Sequence, residues 1–296
     1  MPLQSSGSIS LQQIASEFGD SAPHSLSEFY AGGSAGVTSG GAPNVPSSGQ
    51  ISLSNFYGAA NQVTETISSS GTNQDVSTIF GSNFSSSVPK ILIINSGVHL
   101  GASNLSNYAL KVPIGMGGTL NIQNAGTLSG AGGDGSTSTS NAGGTGGTAL
   151  YIASSNVTVT NTGTIRGGGG GGGKGADGAS NSISGIFLCV GGAGGNGGNG
   201  QGYDQSQSNG TQGGARLAYL DYLYPHQPGA GPSTFECNNS NVYQNGGNGG
   251  NGGTYGNAGG NGGNNGSNGG PAGKYIQTVG VSYTLSNSGT LQGNAP

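Results

Sequence analysis

The chain is expected to be mostly β. Stacked rungs of the β-helix or β-prism kind should be joined to a glycine-rich bundle of polyglycine-II helices, with short helices at the N-terminus. Three observations point this way. Glycine recurs with a period of three, as in 246–254, which reads GGN GGN GGT. A motif of the form apolar-x-apolar-x-Asn-x-Gly-Thr-apolar-x-Gly returns at 120–130, 157–167 and 283–293. Residues 1–60 hold a repeated pair of short amphipathic patterns.

The glycine tracts have two physical readings. Glycine-rich, low-complexity sequence is often a flexible linker. Alternatively, extended helices with three residues per turn and no internal hydrogen bonds can pack side by side and bond to one another. Collagen is excluded, because 67 Gly stand beside only 11 Pro in 296 residues. The strict period argues against a linker, since a coil has no reason to keep Asn248, Asn251 and Thr254 on one edge. The beat recurs at 143–148 and 191–199, and 167–173 is an unbroken run of glycine. It slips at Tyr255 and at Asn264-Asn265, where breaks are expected. Ordering each glycine costs about 1–2 kcal/mol of backbone entropy, so such a bundle needs several tracts.

Composition limits the function classes. Charged residues make up 5% of the chain and the formal net charge is −4 without a cluster, so no nucleic-acid footprint exists. The longest purely aliphatic run, 91–94, is too short to span a membrane. The first ten residues show no secretory signal. Cys189 and Cys237 are either a pair or two separate thiols, and two cysteines imply no framework.

In chain order, residues 1–60 form the first expected unit. Leu11, Ile14, Ala15 and Phe18 fall at helical spacing behind Ser10, a plausible N-cap, and 24–30 reads as a second short helix capped at Ser25. Each piece is too small to fold alone, so Phe18, Phe29, Tyr30, Phe56 and Tyr57 are expected to dock on another protein. Residues 61–130 read as a β domain, with Val63, Glu65 and Ile67 alternating with polar residues. A looser copy of the motif is read at 91–101. Residues 131–296 are the glycine-rich domain, and its last β-rung, at 281–293, should rejoin the β core.

Three inserts interrupt the glycine: 183–190, 215–232 and 233–244. Their aromatics either plug a small core or form a contact surface. Tyr and Arg bring large area at low entropy cost, so the second reading centres a binding site on Arg216, Tyr219, Tyr222, Tyr224 and Phe235, with Tyr203 and Tyr243 at the rim. Enzymatic chemistry finds no support. The GxxxxGK at 168–174 is followed by glycine where Ser or Thr should hold magnesium, and the three His lack metal-ligand spacing. No cofactor or metal is expected.

The segments SISLQQIASEFG, PHSLSEFYAGG and ISLSNFYGA resemble N-terminal parts of structural proteins of tailed bacteriophages. The glycine tracts that follow N-x-G-T-[IL]-x-G strands resemble the tips of phage tail fibres and receptor-binding proteins. They are also similar to the adhesin capping the long tail fibres of T-even-like phages, in which polyglycine helices carry receptor-binding loops. That adhesin resemblance does not extend to the N-terminus. The resemblance implies a virion adhesin at a fibre or baseplate tip, made in the host cytoplasm. Its expected partners are a host-surface receptor (an outer-membrane protein or a glycan), other phage tail proteins, and sister subunits, a trimer being favoured. The competing reading is a purely structural virion component. An ice-binding role is disfavoured because the in-step residues are mostly Asn rather than Thr.

Overall fold

The repeated motif folds as stacked turns of parallel strands. The computed structural model describes residues 3–39, 41–179, 192–214 and 245–296, and the backbone of 181–183, 186–190 and 217–218. The first turn is β1 (Val63–Ile67), β2 (Gly71–Thr72) and β3 (Gln74–Asp75). The second is β4 (Lys90–Ile94), β5 (His99–Gly101) and β6 (Leu110–Val112). The third is β7 (Leu120–Asn124), β8 (Thr127–Ser129) and β9 (Leu150–Ile152). The fourth opens with β10 (Val157–Asn161) and β11 (Thr164–Arg166). A long excursion follows, holding a small antiparallel sheet of β12 (Asn181–Ile183), β13 (Ile186–Val190) and β14 (Leu217–Ala218). The turn then closes with β15 (Ile276–Thr278), and β16 (Tyr283–Asn287) and β17 (Thr290–Gln292) form the fifth.

Equivalent strands pair in parallel, so the chain winds around three faces. The first carries β1-β4-β7-β10-β16, the second β17-β11-β8-β5-β2, and the third β15-β9-β6-β3. Val157 pairs with Leu120 and with Tyr283, which is the alignment of the three sequence copies. The looser fourth copy is shifted by one residue: Lys90, not Ile91, stands opposite Leu120. Its corner runs through 95–98, whereas the next turn needs only 125–126.

Period-two alternation drives the interior. Leu92, Ile122 and Val159 stack inward on the first face, Leu100, Leu128 and Ile165 on the second, and Leu110, Leu150 and Ile276 on the third, all fully buried. Each such side chain contributes about 1.5–3 kcal/mol by leaving water. At one corner the motif asparagines form a ladder. Asn124 Nδ2 donates to Asn161 Oδ1 at 2.7 Å, and Asn161 Nδ2 donates to Asn287 Oδ1 at 2.7 Å. The ladder ends where Ile94 pairs with Asn124, and Asn124 Oδ1 there is buried without a partner. The inward column of the first face carries charge at both upper turns. Glu65 opposes Leu92, and Lys90 is 1% exposed. Lys90 Nζ donates to the carbonyls of Ser86, Val88 and Gly117 at 2.8 to 2.9 Å. Burial pushes its pKa below the usual lysine value.

Residues 3–60 form one unit. Ser10 caps α1 (Leu11–Phe18) with a full capping box, and Gly19 ends it at φ 73°. The 3-10 turns Leu26–Phe29 and Leu53–Phe56 are the two echoes of one pattern. Here the structure places inside the unit the three phenylalanines that were expected to dock on another protein. Phe18, Phe29 and Phe56 pack on one another with ring centroids 6.2 to 6.4 Å apart and are at most 7% exposed. Two halves too small to bury their own aromatics bury them against each other. The half-exposed Tyr30 and Tyr57 donate to the backbone oxygens of Gly49 and Gly7, each tying one repeat to the start of the other.

Candidate functional site

Every glycine excursion leaves the coil at the corner between its second and third faces. The second turn passes this corner through 102–109, the third through 130–149 and the fourth through 167–275. The glycine region is therefore two excursions rather than one, and an expected domain boundary at 130 falls inside the sheets. No α-helix or strand forms in the extended tracts 130–136, 143–148, 167–178, 192–201, 208–214, 246–253, 257–263 and 266–273. They bond to each other through their backbones.

Tract 167–178 lies at the centre. Its Gly168 and Gly171 donate to Gly147 and Gly144. Its Gly169 and Gly172 donate to Gln201 and Gly198, and its Gly170 and Gly173 to Asn257 and Gly260. It accepts in the same rhythm from Gly133 and Ser136, from Gly270 and Gly273, and from Gly250 and Gly253. Six neighbouring tracts thus surround it, and each is addressed every third residue. This explains the unbroken glycine run. A Cβ on Gly168 or Gly171 would strike tract 130–136, one on Gly169 or Gly172 tract 246–253, and one on Gly170 or Gly173 tract 266–273, all closer than 3.0 Å. No direction is left for a side chain.

Peripheral tracts have one free direction, and Asn often fills it. The Oδ1 atoms of Asn199, Asn248, Asn251 and Asn261 accept from the N–H groups of Gly135, Gly213, Gly210 and Gly269 at 3.0 to 3.1 Å. The GGN beat therefore places an acceptor over outer N–H groups of a neighbouring tract. Turns at 255–256 and 263–265 interrupt the tracts, with Gly256, Asn264 and Asn265 at positive φ. These are the two places where the period slips.

Tracts consecutive in sequence run antiparallel, which gives the array two distinct ends. At the coil end lie the turns at 203–205 and 255–256. Tyr203 sits edge-on to His99 with centroids 4.7 Å apart, over Gly101, where a Cβ would land inside its ring. Arg166 lies 3.6 Å above the ring of Tyr255. Arg166 Nε donates to the buried Ser129 Oγ at 2.8 Å. The Ser129 hydroxyl proton is thus free to donate to His99 Nε2, 2.7 Å away, which suits a neutral imidazole. Burial first, and the Arg166 charge second, lower the His99 pKa below its usual value. Tyr203 and Tyr255 pin the array to the coil, whereas the sequence reading had set Tyr203 at the rim of a site formed by the inserts. Sequence reading took Tyr255 only as a break in the period and His99 only as a histidine without metal-ligand spacing, and gave Ser129 and Arg166 no role. Only Gly101, where the other copies carry Ser129 and Arg166, hinted that something packs there.

At the far end the chain turns at 137–142 and 263–265, and tracts 167–178, 192–201, 208–214 and 246–253 begin or stop there. β13 pairs with both β12 and β14, so the first insert and the start of the second share a sheet. Arg216, Tyr219, Tyr222, Tyr224, Phe235 and Tyr243 lie outside the described residues. The polar turn at 137–142 was not singled out in the sequence, although STSTSN between two glycine tracts marks it. Among the described residues no group of His, Cys, Asp or Glu is arranged to hold a metal ion. None of their helices is long and apolar enough to cross a membrane.

The whole fold is similar to a chain of the gp37-gp38 adhesin tip complex of the bacteriophage S16 long tail fibre. The TM-score is 0.55 at 16% identity, covering 99% of this chain and 100% of that one. No curated protein matches the sequence. The family model of the phage tail fibre adhesin Gp38 matches residues 62–296, from the start of the coil through both glycine excursions, and the chain belongs to that family.

Proposed function

We propose that this protein is the receptor-binding tip of a phage tail fibre, and that it meets the host cell with the end of the glycine array remote from the coil. The observation that carries the reading is the antiparallel course of the tracts. It sends 137–142, 263–265 and the stretches leading into the inserts to one end, while Tyr203 and Tyr255 anchor the other. The glycine tracts are read as polyglycine-II helices with three residues per turn and a rise of about 3.1 Å, a scaffold that is rigid but chemically bare. Recognition then falls to the inserts, with Arg216, Tyr219, Tyr222, Tyr224, Phe235 and Tyr243 as anchors for an outer-membrane protein or a glycan. The activity is binding rather than bond cleavage. On the virion side the partner is another tail-fibre protein. Contact there runs through the half-buried apolar rim of residues 3–60, such as Ile9, Leu11, Ile51 and Leu53, because the phenylalanines are internal.

The test is adsorption. A Tyr219→Ala, Tyr224→Ala double variant should fold as the parent does and bind host cells about a thousandfold more weakly, at about 2 kcal/mol for each anchor. Adsorption at the parental rate would favour the purely structural virion component instead.

A further inference from the structure

One face of the coil carries an ordered group of side chains that the distal reading leaves unused. On the outward side of the third face the strand register places Asp75, Lys111, Tyr151 and Gln277 in one column. Strands lie about 4.8 Å apart, so the column runs for about 14 Å. The ring of Tyr108 stacks on that of Tyr151, with centroids 4.5 Å apart and planes 21° from parallel. Both rings are half-buried. Bonds within and beside the loop 102–109 hold Tyr108 in place. Asn73 Nδ2 donates to Ser103 Oγ at 2.7 Å, Ser103 N donates to Asn73 Oδ1 at 2.9 Å, and Ser106 N donates to Asn104 Oδ1 at 2.9 Å.

The polar members of the column are half-buried, and their protein partners use only part of their hydrogen-bonding capacity. Lys111 Nζ stands 3.9 Å from Asp75 Oδ2, with the side chains 44% and 30% exposed. Asp75 Oδ1 is already taken by Ser77, so Oδ2 is the acceptor that remains. Thr148 Oγ1 donates to Gln277 Oε1 at 3.1 Å, which leaves the Gln277 amide nitrogen to donate elsewhere. Ammonium, carboxylate, planar amide and a rigid aromatic pair thus share one narrow ridge without net charge.

We propose that this ridge is a saccharide-binding site that takes a host-surface glycan chain along the side of the coil. The C–H face of a sugar ring is weakly electropositive and suits the negative face of an aromatic ring. Its hydroxyls require donors and acceptors together, as the flanking Lys111, Asp75 and Gln277 supply. The rung spacing is close to the length of one sugar residue, so successive sugars meet successive side chains. A stable protein partner would ask for about 800 Å² on each side around an apolar centre. Here the aromatic pair is bordered at once by an ion pair and an amide. The site does not rest on the distal inserts and adds a second point of host contact to them.

The experiment probes the full-length protein with an array of delipidated bacterial surface polysaccharides. The parent protein is expected to bind at least one of them. Tyr151→Ala should weaken that binding about tenfold, and Gln277→Ala severalfold. Exchange of 215–244 for the equivalent stretch of a relative should leave it unchanged while altering adsorption to cells. Gln277→Ala and Lys111→Ala change half-buried polar positions outside the apolar core and keep the test valid should Tyr151→Ala fail to fold. The proposal is overturned if the parent binds no polysaccharide, if binding survives Tyr151→Ala or the Lys111→Ala, Gln277→Ala pair, or if it is lost when 215–244 is exchanged.

Discussion

Lys90 shows how one residue settles a local structure that hydropathy alone would misread. It occupies an inward column position opposite Leu120 and yet carries an ammonium, and three carbonyls at 2.8 to 2.9 Å take its three N–H groups. Lys90→Met keeps the apolar length but leaves the oxygens of Ser86, Val88 and Gly117 without that donor. At about 1–3 kcal/mol for each unmet buried group, the loss should reach ~3 kcal/mol, read as a lower unfolding midpoint with an unchanged m-value. His99 gives a second test at this scale. Its folded pKa is depressed, by burial and then by Arg166, so the unfolded chain takes up the proton first as the pH falls. Stability is therefore fully present above the ordinary histidine value of about 6.5 and declines as the pH drops below it toward the folded pKa. A His99→Gln variant should lose that part of the slope in pH-dependent melting, while Tyr203 keeps a planar partner.

At the scale of elements, glycine tracts differ by their place in the array, and the sequence already records the difference. The central tract is glycine without interruption from 167 to 173, because six neighbours close every direction, whereas the outer tracts read GGN. Gly171→Ala should therefore destabilise by ~3 kcal/mol or more, since its Cβ would meet the backbone of Asp134. Asn261→Ala removes one peripheral acceptor and should cost about 1 kcal/mol. Chemical denaturation of the two variants side by side checks the ratio. The stacked turns were legible for the same reason: Leu120, Val157 and Tyr283 begin copies of one motif, and equal positions pair. What was not legible depended on distant partners. Phe18, Phe29 and Phe56 look exposed in segments read singly, and only the packing of both halves buries them. Tyr203 was grouped with the aromatic inserts by nearness in sequence, and the tract order sets it at the coil end of the array, on His99. The break of the fourth motif copy at Lys90 was hidden because a four-residue corner replaces a two-residue one.

At the scale of the molecule, the proposed function gives the two ends of the chain's scaffold different work. Stacked turns present open strand edges at their first and last members, which invites edge-to-edge association. At the first turn Glu65 stands in the inward column, so another apolar edge cannot be added without burying a carboxylate. The neighbouring unit, 3–60, has its own core around Phe18, Phe29 and Phe56, and its Glu17 Oε1 accepts from Asn61 N at 3.0 Å just before the coil begins. The Gp38 family model begins at residue 62, where the coil begins. Removing residues 1–60 should therefore leave a folded coil and glycine array, since neither draws its core from the removed part. The truncated protein should still bind host cells through its remote end and block infection when added in excess. It should be missing from particles assembled in its presence, because the proposed attachment unit is gone. Cell binding and particle incorporation, measured on one preparation, separate the two roles. Normal incorporation would move virion attachment from residues 3–60 onto the coil itself. Loss of cell binding by a protein that still melts cooperatively would mean that the N-terminal unit takes part in recognition.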